Sequence, residues 1–221
     1  MLLDEGALVR DGLQTKLTRP LGELKIPPTV QAILAARIDR LGANEKDLLQ
    51  TLAVIGNEFQ LSLAREVTRK TSDELNSVLA ELQLAEFIYE QPAVGDIEYT
   101  FKHALTHDVA YNSLLGQRRK LLHERIGQAI ETRFAQSIED HISELAHHYS
   151  RSANKRKAVE FLGEAGKQAT ERSAYPEARD HISSALRLVK ELPDDLECTR
   201  IELNLEAAMN EVVMITTGST A

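Results

Sequence analysis

The change from helical to strand periodicity that decides the fold lies within residues 71–101, TSDELNSVLAELQLAEFIYEQPAVGDIEYTF. Thr71 and Glu74 have the spacing of a capping box at a helix N-terminus. Apolar residues then recur at helical intervals, at Leu75, Val78, Leu79 and Leu82. After the β-prone Phe87-Ile88-Tyr89, turn residues occupy 92–96, and apolar and polar residues alternate through 97–102. The stretch predicts a helix followed by a β-hairpin.

Two shorter helices are predicted before this stretch, separated by a break at Gly56-Asn57. The first carries Leu48, Leu49, Leu52 and Ile55, and the second carries Leu61, Ala64 and Val67. Three helices closed by a hairpin form a winged-helix-like arrangement. We assign this domain to residues 43–115.

Residues 1–42 have a different pattern. Extended residues 7–18 flank Asp11-Gly12, which favours a tight hairpin turn. After Pro27-Pro28, Thr29 is the expected cap of a helix. The apolar face of that helix is predicted to comprise Val30, Ile33, Leu34 and Ile38.

Beyond Thr106 the sequence predicts helices to near residue 215. Breaks are indicated at Gly116, Ser137, Ser152-Ala153, Ser173 and Pro193. Apolar stripes occur at Leu122, Ile126, Ala129 and Ile130, and at Ile142, Leu145, Ala146 and Tyr149. Small and large residues alternate between Leu162 and Leu188, as in tetratricopeptide repeats, which stack because no single repeat buries its own apolar face.

The expected fold is therefore mainly α, a winged-helix-like domain with a small β-hairpin wing followed by antiparallel helical repeats over residues 116–221. Thr216 to Thr220 is expected to form a loop. Because a stacked array needs a polar capping helix, we expect the array to be truncated at its C-terminus.

Composition limits the class of protein and its partners. The chain has 221 residues and a formal net charge of −8, which repels nucleic acid unless a basic stripe overrides it. Cys198 is the single cysteine, so no intramolecular disulfide forms and a reducing cytoplasm is expected. The acidic N-terminus does not fit a signal peptide, and no apolar run is long enough to span a membrane.

Three stretches carry a family resemblance. Residues 27–41, PPTVQAILAARIDRL, resemble the end of the ATPase core in STAND-type signalling ATPases. Residues 99–111, YTFKHALTHDVAY, resemble the winged-helix signature of the members of that family that accompany class III adenylate cyclase domains and transcriptional regulators. Residues 144–149, ELAHHY, and the repeat after them are also similar to that family.

The resemblance implies an upstream ATP-binding domain, with ATP or ADP bound in the parent protein, and repeats that sense a protein or small-molecule effector. It also assigns residues 1–42 to the end of the ATPase core. A phosphate loop needs Gly-Lys followed by Ser or Thr after an earlier glycine. Gly166-Lys167 is the only Gly-Lys pair, and it is followed by Gln168, so no cofactor is assigned to the chain itself and no catalysis is expected.

His103 is the candidate cofactor-binding residue. A histidine after the second strand of the wing could donate a hydrogen bond to a nucleotide phosphate, as the resemblance implies. The alternative is that His103 only ties the strand end to the next helix. Lys102 lies on the other face of the strand and is the weaker candidate.

Other polar clusters have simpler explanations. His141, Glu144 and His148 share a helix face, but their spacing is wrong for zincins, so no metal is assigned and a solvated or inter-helix polar face is preferred. Cys198 lies among acids that disfavour its thiolate. Residues 118–120, Arg-Arg-Lys, are interpreted as a solvated basic turn or a docking patch for a nucleotide or the ATPase domain.

The expected function is a non-catalytic regulatory segment that couples effector binding on the repeats to an ATP-binding domain. Two alternatives stay open. One is a protein-interaction scaffold without nucleotide coupling. The other is a winged-helix DNA-binding regulator, which the sequence disfavours because residues 72–90 contain no Lys or Arg and five acids.

Overall fold

A computed structural model of the chain describes residues 8–11, 14–17, 28–92 and 95–218. Internal contacts divide the chain into two units, Met1–Arg40 and Leu41–Ala221.

The first unit contains the predicted hairpin. Strands β1 (Leu8–Asp11) and β2 (Gln14–Leu17) pair antiparallel, with Leu8 opposite Leu17. The turn at Gly12 lies outside the described residues. The sequence thus placed both strands correctly.

Helix α1 (Pro28–Asp39) follows in the same unit. Its apolar face is narrower than predicted, because Leu34 and Ile38 are buried whereas Val30 and Ile33 are exposed. The predicted cap is also wrong. Thr29 lies inside the helix, which begins at Pro28, and proline is well suited to a first helical position because it lacks an N–H.

The second unit begins with the three predicted helices, α2 (Ala43–Ile55), α3 (Leu61–Thr68) and α4 (Ser72–Leu84). The capping box of α4 is present in full. The Thr71 N–H donates to Glu74 Oε2 at 3.0 Å, and the Glu74 N–H donates to Thr71 Oγ1 at 3.3 Å. On α3 the buried face is formed by Leu63, Ala64 and Val67, with Leu61 only partly covered.

The wing is a three-stranded antiparallel sheet with the order β3-β5-β4. Strands β4 (Ile88–Pro92) and β5 (Ile97–Phe101) form the predicted hairpin. Strand β3 (Glu58–Gln60) was not predicted; it pairs with the other edge of β5 and places the Phe59 ring 5.8 Å from the Tyr99 ring. A three-residue strand is too short to show alternation, so its position depends on that pairing.

The remaining helices begin and end close to the predicted breaks. They are α5 (Ala104–Asn112), α6 (Gly116–Arg133), a 3-10 turn (Ile138–His141), α7 (Ile142–Ser150), α8 (Lys155–Glu171), α9 (Tyr175–Val189) and α10 (Leu196–Gly218). The predicted C-terminal loop is wrong over residues 216–218, which extend α10, while residues 219–221 lie outside the described part.

Helix α6 packs on both halves of the second unit. It contacts α2 and α3 on one side and α7 on the other, and α7, α8, α9 and α10 then pack in sequence. All eight residues of the two predicted stripes on α6 and α7 are buried. These contacts and the sheet confirm the expected mainly α fold. Among the described helices, none has the length and apolar character needed to cross a bilayer.

Close contact between α8 and α9 depends on a glycine. A Cβ built on Gly166 would lie 2.6 Å from Ile182 Cγ1, and Ile182 is 1% exposed. Small residues at such positions let two helices approach, as the alternation of small and large residues predicted.

We expect Gly166→Ala to lower the free energy of unfolding by about 1–3 kcal/mol, because the added methyl overpacks a filled contact. Gly163→Ala on the same helix is the control, since its Cβ would meet Leu205 Cδ2 at 3.4 Å, an ordinary contact distance. That control should be neutral or gain up to about 1 kcal/mol from helix propensity. Urea denaturation of both variants measures the difference, and equal effects at the two sites would contradict the packing role of Gly166.

Candidate functional site

A pocket of about 560 Å³ opens where α5 to α9 come together. Among the residues that the structure describes, its lining has no carboxylate and four basic residues: Arg119, Lys120, Arg151 and Lys155. Tyr111 and His123 form part of the wall, and Ala158 and Leu188 supply an apolar part. The pocket is therefore basic on a chain whose net charge is −8.

Three of these cations have no carboxylate partner in the part of the chain that the structure describes. Across residues 28–92 and 95–218, neither Arg119, Lys120 nor Arg151 forms a salt bridge. The Arg119 guanidinium lies 4.8 Å from the centroid of the Tyr111 ring, and Arg151 Nη1 donates to the His147 carbonyl at 3.1 Å. Lys155 differs, because its Nζ pairs with Glu191 at 2.6 Å.

A buried hydrogen-bonded chain passes behind the pocket. The Tyr111 hydroxyl lies 3.0 Å from His123 Nε2, and His123 Nδ1 lies 3.0 Å from His148 Nδ1. Both histidines are 1% exposed. Each of the three side chains comes from a different helix, α5, α6 and α7, so the chain links these helices.

Both buried imidazoles are neutral at physiological pH. Burial, with the nearby His147 and Arg151, lowers the pKa of His123 to about 3 and that of His148 to about 2. The two facing Nδ1 atoms need one proton between them to hydrogen-bond, and a neutral pair supplies it.

His123, His147 and His148 could also offer ligand atoms to a metal ion, since one nitrogen from each lies within 4.8 Å of the others. Both ring nitrogens of His123, however, already have a partner at 3.0 Å, Tyr111 on one side and His148 on the other. Arg119 and Arg151 are close enough to His123 to lower its pKa, and their positive charge opposes a second cation. The surroundings thus favour an anion over a metal.

His103, the predicted cofactor-binding residue, is exposed at the start of α5. Its side chain does not cap the helix, but its carbonyl accepts the Thr106 N–H at 2.8 Å. The backbone of His103 therefore joins the strand end to the helix, while its imidazole faces solvent. Lys102 pairs with Glu86 at 2.9 Å.

The structure separates the predicted polar face of α7 into two environments. His141 Nδ1 lies 3.2 Å from Glu144 Oε2, and the His141 ring stacks on Phe134. His148 instead turns inward to His123 on α6, which is the inter-helix alternative of the prediction.

The other residues considered from the sequence have structural roles. Burial and the Asp195 carboxylate raise the pKa of the Cys198 thiol, which fits an inert cysteine. Gly166-Lys167 lies inside α8, as expected. Of residues 118–120, Arg118 pairs with Asp47 and does not line the pocket, whereas the other two do.

Sequence reasoning missed His123, Tyr111 and Arg151. A signal for His123 was present, because it follows Leu122 at the edge of the apolar stripe of α6, where a polar residue needs a buried partner. Its partner His148 is 25 positions away, and no periodicity connects the two.

Comparison with known proteins finds a distant relative of the chain. No family model matches the chain, and no solved structure matches it. An uncharacterized protein from Rhizobium meliloti (strain 1021) is 28% identical over 208 residues, which is 91% of this chain and 20% of that protein. The chain thus spans about a fifth of the length of this relative.

The buried histidine pair predicts a pH-dependent stability. The ordinary histidine pKa is 6.5, and the folded values are about 3 and about 2, so the unfolded chain binds protons that the folded chain rejects. Stability should therefore fall as pH drops below about 6.5, by about 1 kcal/mol per buried histidine between pH 7 and 5.5. Urea denaturation at the two pH values measures this loss.

His148→Gln should lose about half of this pH dependence, whatever its effect on stability at pH 7. His103→Gln, at an exposed histidine, should keep all of it. An unchanged pH dependence in His148→Gln would show that the pair is not the source.

Proposed function

We propose that the chain is a non-catalytic coupling segment of a nucleotide-dependent signal-transduction ATPase. In this proposal the helical repeats bind an effector, and the winged-helix-like half passes that state to an ATP-binding domain elsewhere in the protein. The resemblance of residues 27–41 and 99–111 to STAND-type signalling ATPases supports this assignment.

The observation that carries the proposal is a continuous series of ring contacts from the wing to the repeats. The Phe101 ring on β5 lies 5.3 Å from His107, which stacks at 6.2 Å on Tyr111. The Tyr111 and His123 rings are 5.9 Å apart, and the His123 and His148 rings 5.2 Å apart. Closely packed side chains are a physical route by which a shift at one end biases the other.

Coupling also needs two arrangements with different ligand affinities. A nucleotide contact near His103 would favour one arrangement, and effector binding on α6 to α9 would favour the other. His103 is exposed and lies two residues after Phe101, the last residue of β5, so the wing end of the series has a group within reach of a ligand.

The scaffold alternative has an observation of its own. Helix α10 exposes large apolar side chains, among them Leu203 at 60% and Met214 at 73%. Large contiguous apolar patches on a surface are typical of protein-binding sites. Coupling and scaffolding differ in whether nucleotide binding depends on the winged-helix half.

The test uses the full-length gene product and calorimetric titration with ADP. His103→Ala should weaken ADP binding about tenfold or more, because a hydrogen bond to a charged phosphate contributes about 1.5–3 kcal/mol. His181→Ala, on α9 and remote in sequence from the wing, is the matched control and should bind ADP as the wild type does.

Two outcomes would contradict the proposal. One is a full-length protein that gives no heat with ADP. The other is unchanged ADP affinity in His103→Ala, which would leave the scaffold role as the better account.

A further inference from the structure

We propose that the basic pocket between α5 and α9 binds a phosphate-bearing small molecule, held by Arg119, Lys120 and Arg151. The binding itself does not depend on the proposed function. That this molecule is the effector sensed by the repeats does rest on it.

The pocket carries an excess of positive charge. Three cations that lack carboxylate partners in the described part of the chain line one concave site. A cleft lined by one sign of charge concentrates its field and attracts a ligand of the opposite sign. Since the remainder of the chain is acidic, this local excess is not a property of its general surface.

The two arginines of the pocket have guanidinium N–H groups available for a ligand. Arg119 is half-buried with its guanidinium carbon 4.8 Å from the centroid of the Tyr111 ring, and its guanidinium N–H groups make no hydrogen bond within residues 28–92 and 95–218. Arg151 donates one N–H of its terminal nitrogen Nη1 to the His147 carbonyl. Each fork therefore keeps donors available, and a planar fork of N–H groups matches the oxygens of a phosphate.

The remaining polar groups of the pocket restrict what those cations bind. The hydroxyls of Ser150 and Ser152 donate to the carbonyls of His147 and Tyr149 at 3.0 and 2.9 Å, so both are committed to the turn after α7. Lys155 is neutralised by Glu191. Recognition consequently falls to three positive charges, which suit a ligand carrying two or more negative charges.

The volume of the pocket favours a small molecule over a nucleic-acid strand. The volume of about 560 Å³ lies within the range of small-molecule sites. A nucleic-acid strand needs a basic surface that continues along its backbone, whereas here Arg118 beside the pocket is already paired with Asp47.

The position of the pocket gives the bound anion a route to the wing. Arg119 rests on Tyr111, and His123 forms part of the same wall. The Tyr111 and His123 rings both belong to the series of ring contacts that ends at Phe101. An anion that draws Arg119 toward itself acts directly on that series.

The test is calorimetric titration of the 221-residue chain with inorganic pyrophosphate, and separately with ADP. Pyrophosphate should bind, and Arg119→Gln and Arg151→Gln should each weaken binding by about tenfold to a hundredfold, because each removes charge-assisted hydrogen bonds. Arg118→Gln is the matched control, one residue from Arg119 on the same helix but outside the pocket, and should change affinity less than about twofold. Circular dichroism checks that each variant keeps its helices.

Each result of these titrations either supports the proposal or overturns it. Equal affinity for both probes supports recognition of the phosphate group alone, and tighter binding of ADP supports a nucleotide as the source. No binding of either probe, an equal loss in Arg118→Gln, or binding of Zn²⁺ with none of pyrophosphate would overturn the proposal. Because the measurement needs no ATP-binding domain, its failure leaves the His103 result unaffected.

Discussion

The contact between His123 and His148 is the constraint on which the second unit depends. Two imidazoles buried to 1% exposure can hydrogen-bond at 3.0 Å only if one of the two facing nitrogens carries a proton and the other does not. Leaving either one unpaired would bury a polar group without a partner, which costs about 1–3 kcal/mol. The requirement fixes the relative positions of α6 and α7, and Tyr111 extends it to α5.

Helix α6 is the structural link between the two halves of this unit. It packs on the three-helix half through α2 and α3 and on the repeats through α7. Gly127 allows the second contact, because a Cβ there would lie 2.8 Å from the ring of Tyr149. Arg119 and Lys120 of the pocket lie on the same helix as the buried His123, so its surface and its interior face are connected by one rigid element.

The sequence predicted local features well, because they depend on spacing along the chain. The capping box of Thr71 and Glu74 and the stripes of α6 and α7 are examples. Features that depend on distant pairing were missed. Strand β3 pairs with residues some forty positions later, and the pocket forms only when Arg119 on α6 and Arg151, which follows α7, come together. The buried face of α1 was predicted too wide, because Ile33 has the spacing of a buried helical residue but is exposed.

The three-group chain of Tyr111, His123 and His148 has a property that follows from its symmetry. Every bond in it can run from the hydroxyl toward α7, or every bond can run back toward α5, since each ring nitrogen is able to donate or accept. Reversal moves no heavy atom and creates no net charge. It does change which end of the chain carries a proton that is not used within the chain, either Nε2 of His148 or the Tyr111 oxygen. An event at one end can therefore change whether the group at the other end donates or accepts a hydrogen bond.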